Sequence, residues 1–119
     1  MDSTENRLFE VPAGQLEITG QTIQRVFDLW VEIHRNSRKG RSPVLSPERQ
    51  RIIRKALESH GEETCLDAIR GCALSDWHMG KNPNGKRYDD IELILRNAQK
   101  IENFADMWLE AQSGGGFLD

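Results

Sequence analysis

Gly71-Cys72-Ala73-Leu74-Ser75-Asp76-Trp77-His78-Met79-Gly80-Lys81-Asn82-Pro83-Asn84-Gly85-Lys86-Arg87-Tyr88 is the stretch on which the fold turns. On either side of it apolar residues recur at helical spacing, whereas here three glycines, two asparagines and a proline halt any regular period. Such residues supply left-handed and turn conformations, and loops carried on a rigid scaffold are where recognition groups concentrate. The chain therefore reads as all-α, a small bundle of about four helices with one structured loop ahead of the longest. Trp77, His78 and Tyr88 are expected to clamp this loop to the helices or to offer stacking faces. Lys81, Asn82, Lys86 and Arg87 are expected to stay exposed.

Upstream, Cys65, Leu66, Ile69, Cys72 and Ala73 repeat at i, i+1, i+4, i+7 and i+8. This predicts a helix from Glu62 to about Leu74 with both cysteines facing the core. Gly61 divides it from a helix that opens at Ser46-Pro47, with Ser as N-cap and Pro in the first position. There Ile52, Ile53, Ala56 and Leu57 set the buried face, so Arg51, Arg54 and Lys55 project to solvent. Arg49 leans toward the apolar side, where it is expected to snorkel or to meet a carboxylate. A first helix, from Thr22, carries Ile23, Val26, Phe27, Trp30, Val31 and His34 on one face. Trp30 is its core anchor, and His34 a satisfied capping histidine.

Downstream, Asp89-Asp90-Ile91-Glu92 has capping-box spacing, which predicts a fourth helix of about twenty residues. Ile91, Ile94, Ala98, Ile101, Ala105 and Trp108 form its seam. Fewer than about three heptads with two alanines make a poor independent coiled coil, so packing across the other helices in a monomer or weak dimer is expected. Ser113-Gly114-Gly115-Gly116 is expected to end the helix. The chain thus divides into an N-terminal tail (1–20), a helical domain (21–112) and a Gly-rich C-terminal tail (113–119).

The formal net charge is −3, which by itself announces no polyanionic partner. Its distribution does: from Arg35 to Lys55 there are eight basic residues and one acidic, a local +7 that leaves −10 for the remainder. A chain so polarised can turn a basic face to a polyanion while staying acidic as a whole. Two cysteines and no signal-like apolar run point to a reducing cytoplasm. Cys65, Cys72, His60 and His78 do not fall into the close pairs of structural zinc sites, so no metal is expected. His78, Asp76 and Asn82 lack a second histidine or carboxylate at metal-site spacing, and no phosphate loop or nucleophile motif occurs. No enzyme activity and no cofactor are expected.

Val26-Phe27-Asp28-Leu29-Trp30, Leu45-Ser46-Pro47-Glu48-Arg49-Gln50-Arg51, Ala68-Ile69-Arg70-Gly71-Cys72-Ala73-Leu74-Ser75, Trp77-His78-Met79-Gly80-Lys81-Asn82 and Tyr88-Asp89-Asp90-Ile91-Glu92-Leu93-Ile94-Leu95-Arg96 form a recognisable set. Together they resemble the small helical domain at the C-terminus of many bacteriophage and prophage replication proteins of the replisome-organiser or helicase-loader type. The run from Ala68 to Asn82 is the specific part. In that family a winged helix precedes the domain, and here the domain is expected without one. The resemblance implies work in DNA replication in a bacterial host cell, with a nucleic acid, a replication protein or a host protein as partner.

A nucleic-acid surface would combine Arg38, Lys39 and Arg41 of the first basic turn with Arg51, Arg54 and Lys55 of the second helix. Lys81, Asn82, Lys86 and Arg87 of the loop would complete it. The alternative is a module that binds a helicase, loader or host regulator through the C-terminal helix.

Overall fold

The structure, a computed structural model, describes residues 18–36 and 41–117, the last four as backbone only. Among these residues the regular structure is helical, without strands, as the sequence pattern predicts. Residues 1–17 of the N-terminal tail, Arg38, Lys39 and residues 118–119 lie outside the described residues.

Helix α1 runs Gly20–Trp30 and starts on a reciprocal cap: Thr19 Oγ1 accepts from the Thr22 amide at 3.2 Å, and Thr22 Oγ1 accepts from the Thr19 amide at 3.4 Å. The helix therefore begins ahead of the first apolar residue, because the cap rather than the hydrophobic period sets its boundary. Ile23, Val26, Phe27 and Trp30 are buried as expected. Val31–Arg35 then winds into a single π-helical turn. That wider turn advances each residue by a smaller angle than an α-helix does, so consecutive His34 and Arg35 both point inward and are buried.

Helix α2 runs Pro47–Cys72, with Ser46 Oγ accepting from the Arg49 amide at 3.2 Å. Gly61, at φ 84° and ψ 166°, breaks it in the middle. The two helices predicted here thus meet at one residue, in a conformation that a side chain would strain. Ile53, Ala56 and Leu57 before the bend, and Cys65, Ala68, Ile69 and Cys72 after it, enter one core. The thiols of Cys65 and Cys72 are pushed up to about 12, chiefly by burial, so they behave as small apolar groups.

The predicted single fourth helix is two. Helix α3 is one turn, Ile91–Ile94; Leu95 leaves the helical region at φ −103° and ψ 23°, and α4 runs Ala98–Phe117. Asn97 restarts the chain, its Oδ1 accepting from the Lys100 amide at 2.9 Å. The expected capping box does not form either: Asp90 holds the N-cap position without a side-chain bond to a helix amide, Asp89 is buried, and Glu92 turns to Arg49. Asp89 is claimed instead by the Arg35 and Arg87 guanidiniums, whose charge-assisted bonds outcompete a few exposed amides. At the other end α4 stays helical through Gly114 to Gly116, which glycine permits at an entropic cost of about 1 kcal/mol per residue. The Gly-rich tail predicted from residue 113 is therefore helical as far as Phe117.

Helix α2 lies centrally, with α1, α3 and α4 packed on it. It approaches α4 closely at Gly71, where a Cβ would overlap the Phe104 carbonyl oxygen. Among the described residues no helix is long and apolar enough to cross a membrane.

Candidate nucleic-acid interface

Asp89 ties the working loop to α1. Its Oδ2 accepts from Arg87 Nη2 at 2.6 Å and Arg35 Nη1 at 3.0 Å, and lies 2.9 Å from His34 Nδ1. The Asp89 backbone carbonyl accepts from the buried Trp30 indole at 2.8 Å. On the far side of the imidazole, Nε2 donates to the Ile69 carbonyl at 2.9 Å, so both ring nitrogens are engaged. Burial by itself raises the Asp89 carboxyl, but hydrogen bonds from His34, Arg87 and Arg35 overcome it and hold the group well below the usual carboxylate range. His34 is therefore a satisfied core histidine, as expected, but it joins α1 to α2 and the loop instead of capping its own helix.

The loop beyond α2 is organised by Asn82. Its Nδ2 donates to the carbonyls of Trp77 and Lys86, both at 2.7 Å, and its Oδ1 accepts from the amides of Asn84 at 3.1 Å and Lys86 at 3.2 Å. Both amide protons and both lone pairs are consumed, so Asn82 is a brace and not the free contact predicted. Arg87 is likewise committed, to Asp89 and to the His34 carbonyl at 3.2 Å. Its side chain nevertheless stays 39% exposed, as composition suggested, so it is an exposed cation already engaged by a buried carboxylate.

Trp77, His78 and Tyr88 do come together. Trp77 stacks on Tyr88 with ring centroids 5.0 Å apart and planes 18° from parallel. His78 stands edge-on to Trp77 at 5.1 Å and to Phe104 of α4 at 4.9 Å. Ser75 Oγ lies 2.7 Å from His78 Nδ1, and the Tyr88 amide donates to the His78 carbonyl at 2.7 Å. Burial, followed by the Lys100 charge, lowers the His78 pKa and favours its neutral form. The three residues thus divide the work: His78 seats the loop on the core, while Trp77 remains 51% exposed.

Arg41, Arg51, Arg54 and Lys55 are exposed, as are Lys81 and Lys86. Arg49 takes the predicted position: it lies over the Trp30 ring at 5.1 Å and pairs with Glu92 at 2.9 Å. The loop and the α2 stripe are joined by residues the sequence pattern leaves unmarked. A shallow depression between Arg35, Lys86, Arg87 and Asp90 shares Asp90 with a second, lined by Arg49, Glu92, Leu93 and Arg96. That one shares Arg96 with a third, which reaches Asn97 and Lys55. Arg96 is the missed link; the only sequence signal for it is a cation set between an apolar turn and the capping Asn97.

No cluster of three or more His, Cys, Asp or Glu able to hold a metal occurs among the described residues. His60 instead bridges Ser59 at 2.7 Å and Glu102 of α4 at 3.0 Å. Comparison with protein-family models, curated proteins and solved structures finds no match to this chain.

Proposed function

We propose that this chain is a nucleic-acid-binding accessory module of the phage replication type, acting in the cytoplasm of a bacterial host. It would hold a sugar-phosphate backbone along the surface from Lys86 through Arg96 to Lys55. The observation that carries this is the continuity of the three depressions, which share Asp90 and Arg96. Along that path every carboxylate already has an arginine: Asp89 has Arg35 and Arg87, Asp90 has Arg35 at 2.7 Å, and Glu92 has Arg49. Lys86, Arg96 and Lys55 are exposed and have no carboxylate partner among the described residues. Anions approaching this face therefore meet cations whose internal counter-charges are spent.

Binding of labelled single- and double-stranded DNA across a salt series tests the proposal. For about five neutralised phosphates, log K against log salt should fall with a slope near −3.5 on a single strand and −4.5 on a duplex. A flat response on both would refute it.

A second reading is a protein-binding module, favoured by the exposed side of α4. Leu109 is 53% exposed there, and the neighbouring Trp108 ring has Arg70 over it at 5.7 Å. A stable complex with a helicase, loader or host regulator that is lost on truncation before Ala105, with salt-insensitive and weak DNA binding, would select this reading.

A further inference from the structure

Building on the nucleic-acid reading, we infer that the strand held is single, and that one of its unpaired bases stacks on Trp77. The indole is half exposed although one of its faces already lies on Tyr88. It is not a lid on the core, because His78 fills that position by standing edge-on to Phe104. An aromatic ring placed outside the core and still held rigidly calls for a ligand that uses its surface.

The rigidity is visible in the hydrogen bonds. Asn82 locks the Trp77 carbonyl to the Lys86 carbonyl through one amide group, and the Tyr88 amide closes the loop onto the His78 carbonyl. The Trp77–Tyr88 stack is therefore formed before any ligand arrives, and little ordering entropy is lost on binding. Lys86 Nζ lies 5.9 Å from the centre of the Tyr88 ring, which sets a cation beside the stack. A nucleotide brings a flat aromatic base and a phosphate a short distance apart, and this pairing of ring and ammonium fits both. Inside a duplex the faces of the bases are covered by their neighbours, so only an unpaired base can take the indole surface. The strand would continue from the Lys86 end past Arg96 toward Lys55.

The test compares the full chain with Trp77→Ala and Trp77→Phe, by fluorescence anisotropy, on labelled oligo(dT), oligo(rU), an abasic strand of equal length and a duplex. Wild type should prefer the single strand to the duplex at matched salt, and should bind the abasic strand roughly 5- to 150-fold more weakly than oligo(dT). Trp77→Ala should lose a similar factor on oligo(dT), none on the abasic strand, and keep its salt slope; Trp77→Phe should retain most of the affinity. Similar affinities for dT and rU would show that the ring reads the base face rather than the sugar, and a preference for either still requires the stack. Equal wild-type affinity for abasic and base-bearing strands would overturn the inference, and needs no variant to fold. A preference for duplex would overturn it too while leaving nucleic-acid binding standing, whereas no binding to any probe would remove both.

Discussion

Asp89 shows how far one residue can depart from its local pattern. Its spacing to Glu92 suits an N-cap, yet His34, Arg35 and Arg87 converge on its carboxylate and Trp30 bonds its carbonyl. No local period records these partners, because the nearest of them in α1 is more than fifty residues away. Asp89→Asn would leave Arg35, whose side chain is 5% exposed, without its buried counter-charge. The expected loss of stability in urea is about 3–5 kcal/mol. The pH dependence follows from the direction of the shift. Folding lowers the Asp89 pKa from its ordinary 3.8, so the native state binds fewer protons than the unfolded chain. Its stabilisation is complete above that value and is lost as pH falls below it toward the depressed one. His78 adds to the acid side: its lowered pKa means that protonation below 6.5 favours the unfolded chain. Acid titrations of wild type and Asp89→Asn should therefore diverge above pH ~4 and converge below it. Trp30 and the two cysteines, by contrast, are legible from sequence, since each sits on a periodic apolar face and its role is burial. Their thiols, pushed up to about 12, should resist a thiol-specific reagent at neutral pH until denaturant is added.

At the scale of elements, legibility follows the same rule: periods read well, joints read poorly. The buried faces of α1 and both halves of α2 are those the spacing predicts, and Gly61 is the break it predicts. The interruption at Leu95 to Asn97 escapes notice because the seam residues Ile94, Ala98 and Ile101 keep their intervals across it. Only Asn97, a good N-cap inside an otherwise helical run, betrays it. Gly71 looks from sequence like the start of the interruption at the end of its helix, but it is a point where the α2 and α4 backbones come close. Gly71→Ala should force the helices apart and cost about 1–3 kcal/mol or more, measured by chemical denaturation. Gly61→Ala meets no neighbour but has the wrong backbone preference, so its smaller penalty should come from strain alone. In the loop, Asn82→Ala removes four hydrogen bonds at once. Amide exchange from Trp77 to Tyr88 should accelerate while α2 and α4 keep their protection.

Across the whole molecule, charge polarity is the property most plainly written in the sequence, and its spatial form is the least. Eight basic residues between Arg35 and Lys55 announce a basic segment, but two of those described do not behave as a linear count suggests. Arg35 and Arg49 are spent on carboxylates, and Arg38 and Lys39 lie outside the described residues. Arg96, far along the chain, joins Lys86 to Lys55. A second face keeps a different balance, with Arg25 paired to Glu62 at 2.7 Å beside Asp28 and Glu32. The two faces give the account its most direct test, the salt dependence of DNA binding in Arg96→Ala against Arg25→Ala. Arg96→Ala should weaken binding to every sequence and make the log–log salt slope shallower by about 0.7–0.9, while Arg25→Ala leaves both unchanged. An unaltered slope in Arg96→Ala, or an equal change in Arg25→Ala, would contradict a nucleic-acid surface running from the loop to the second helix.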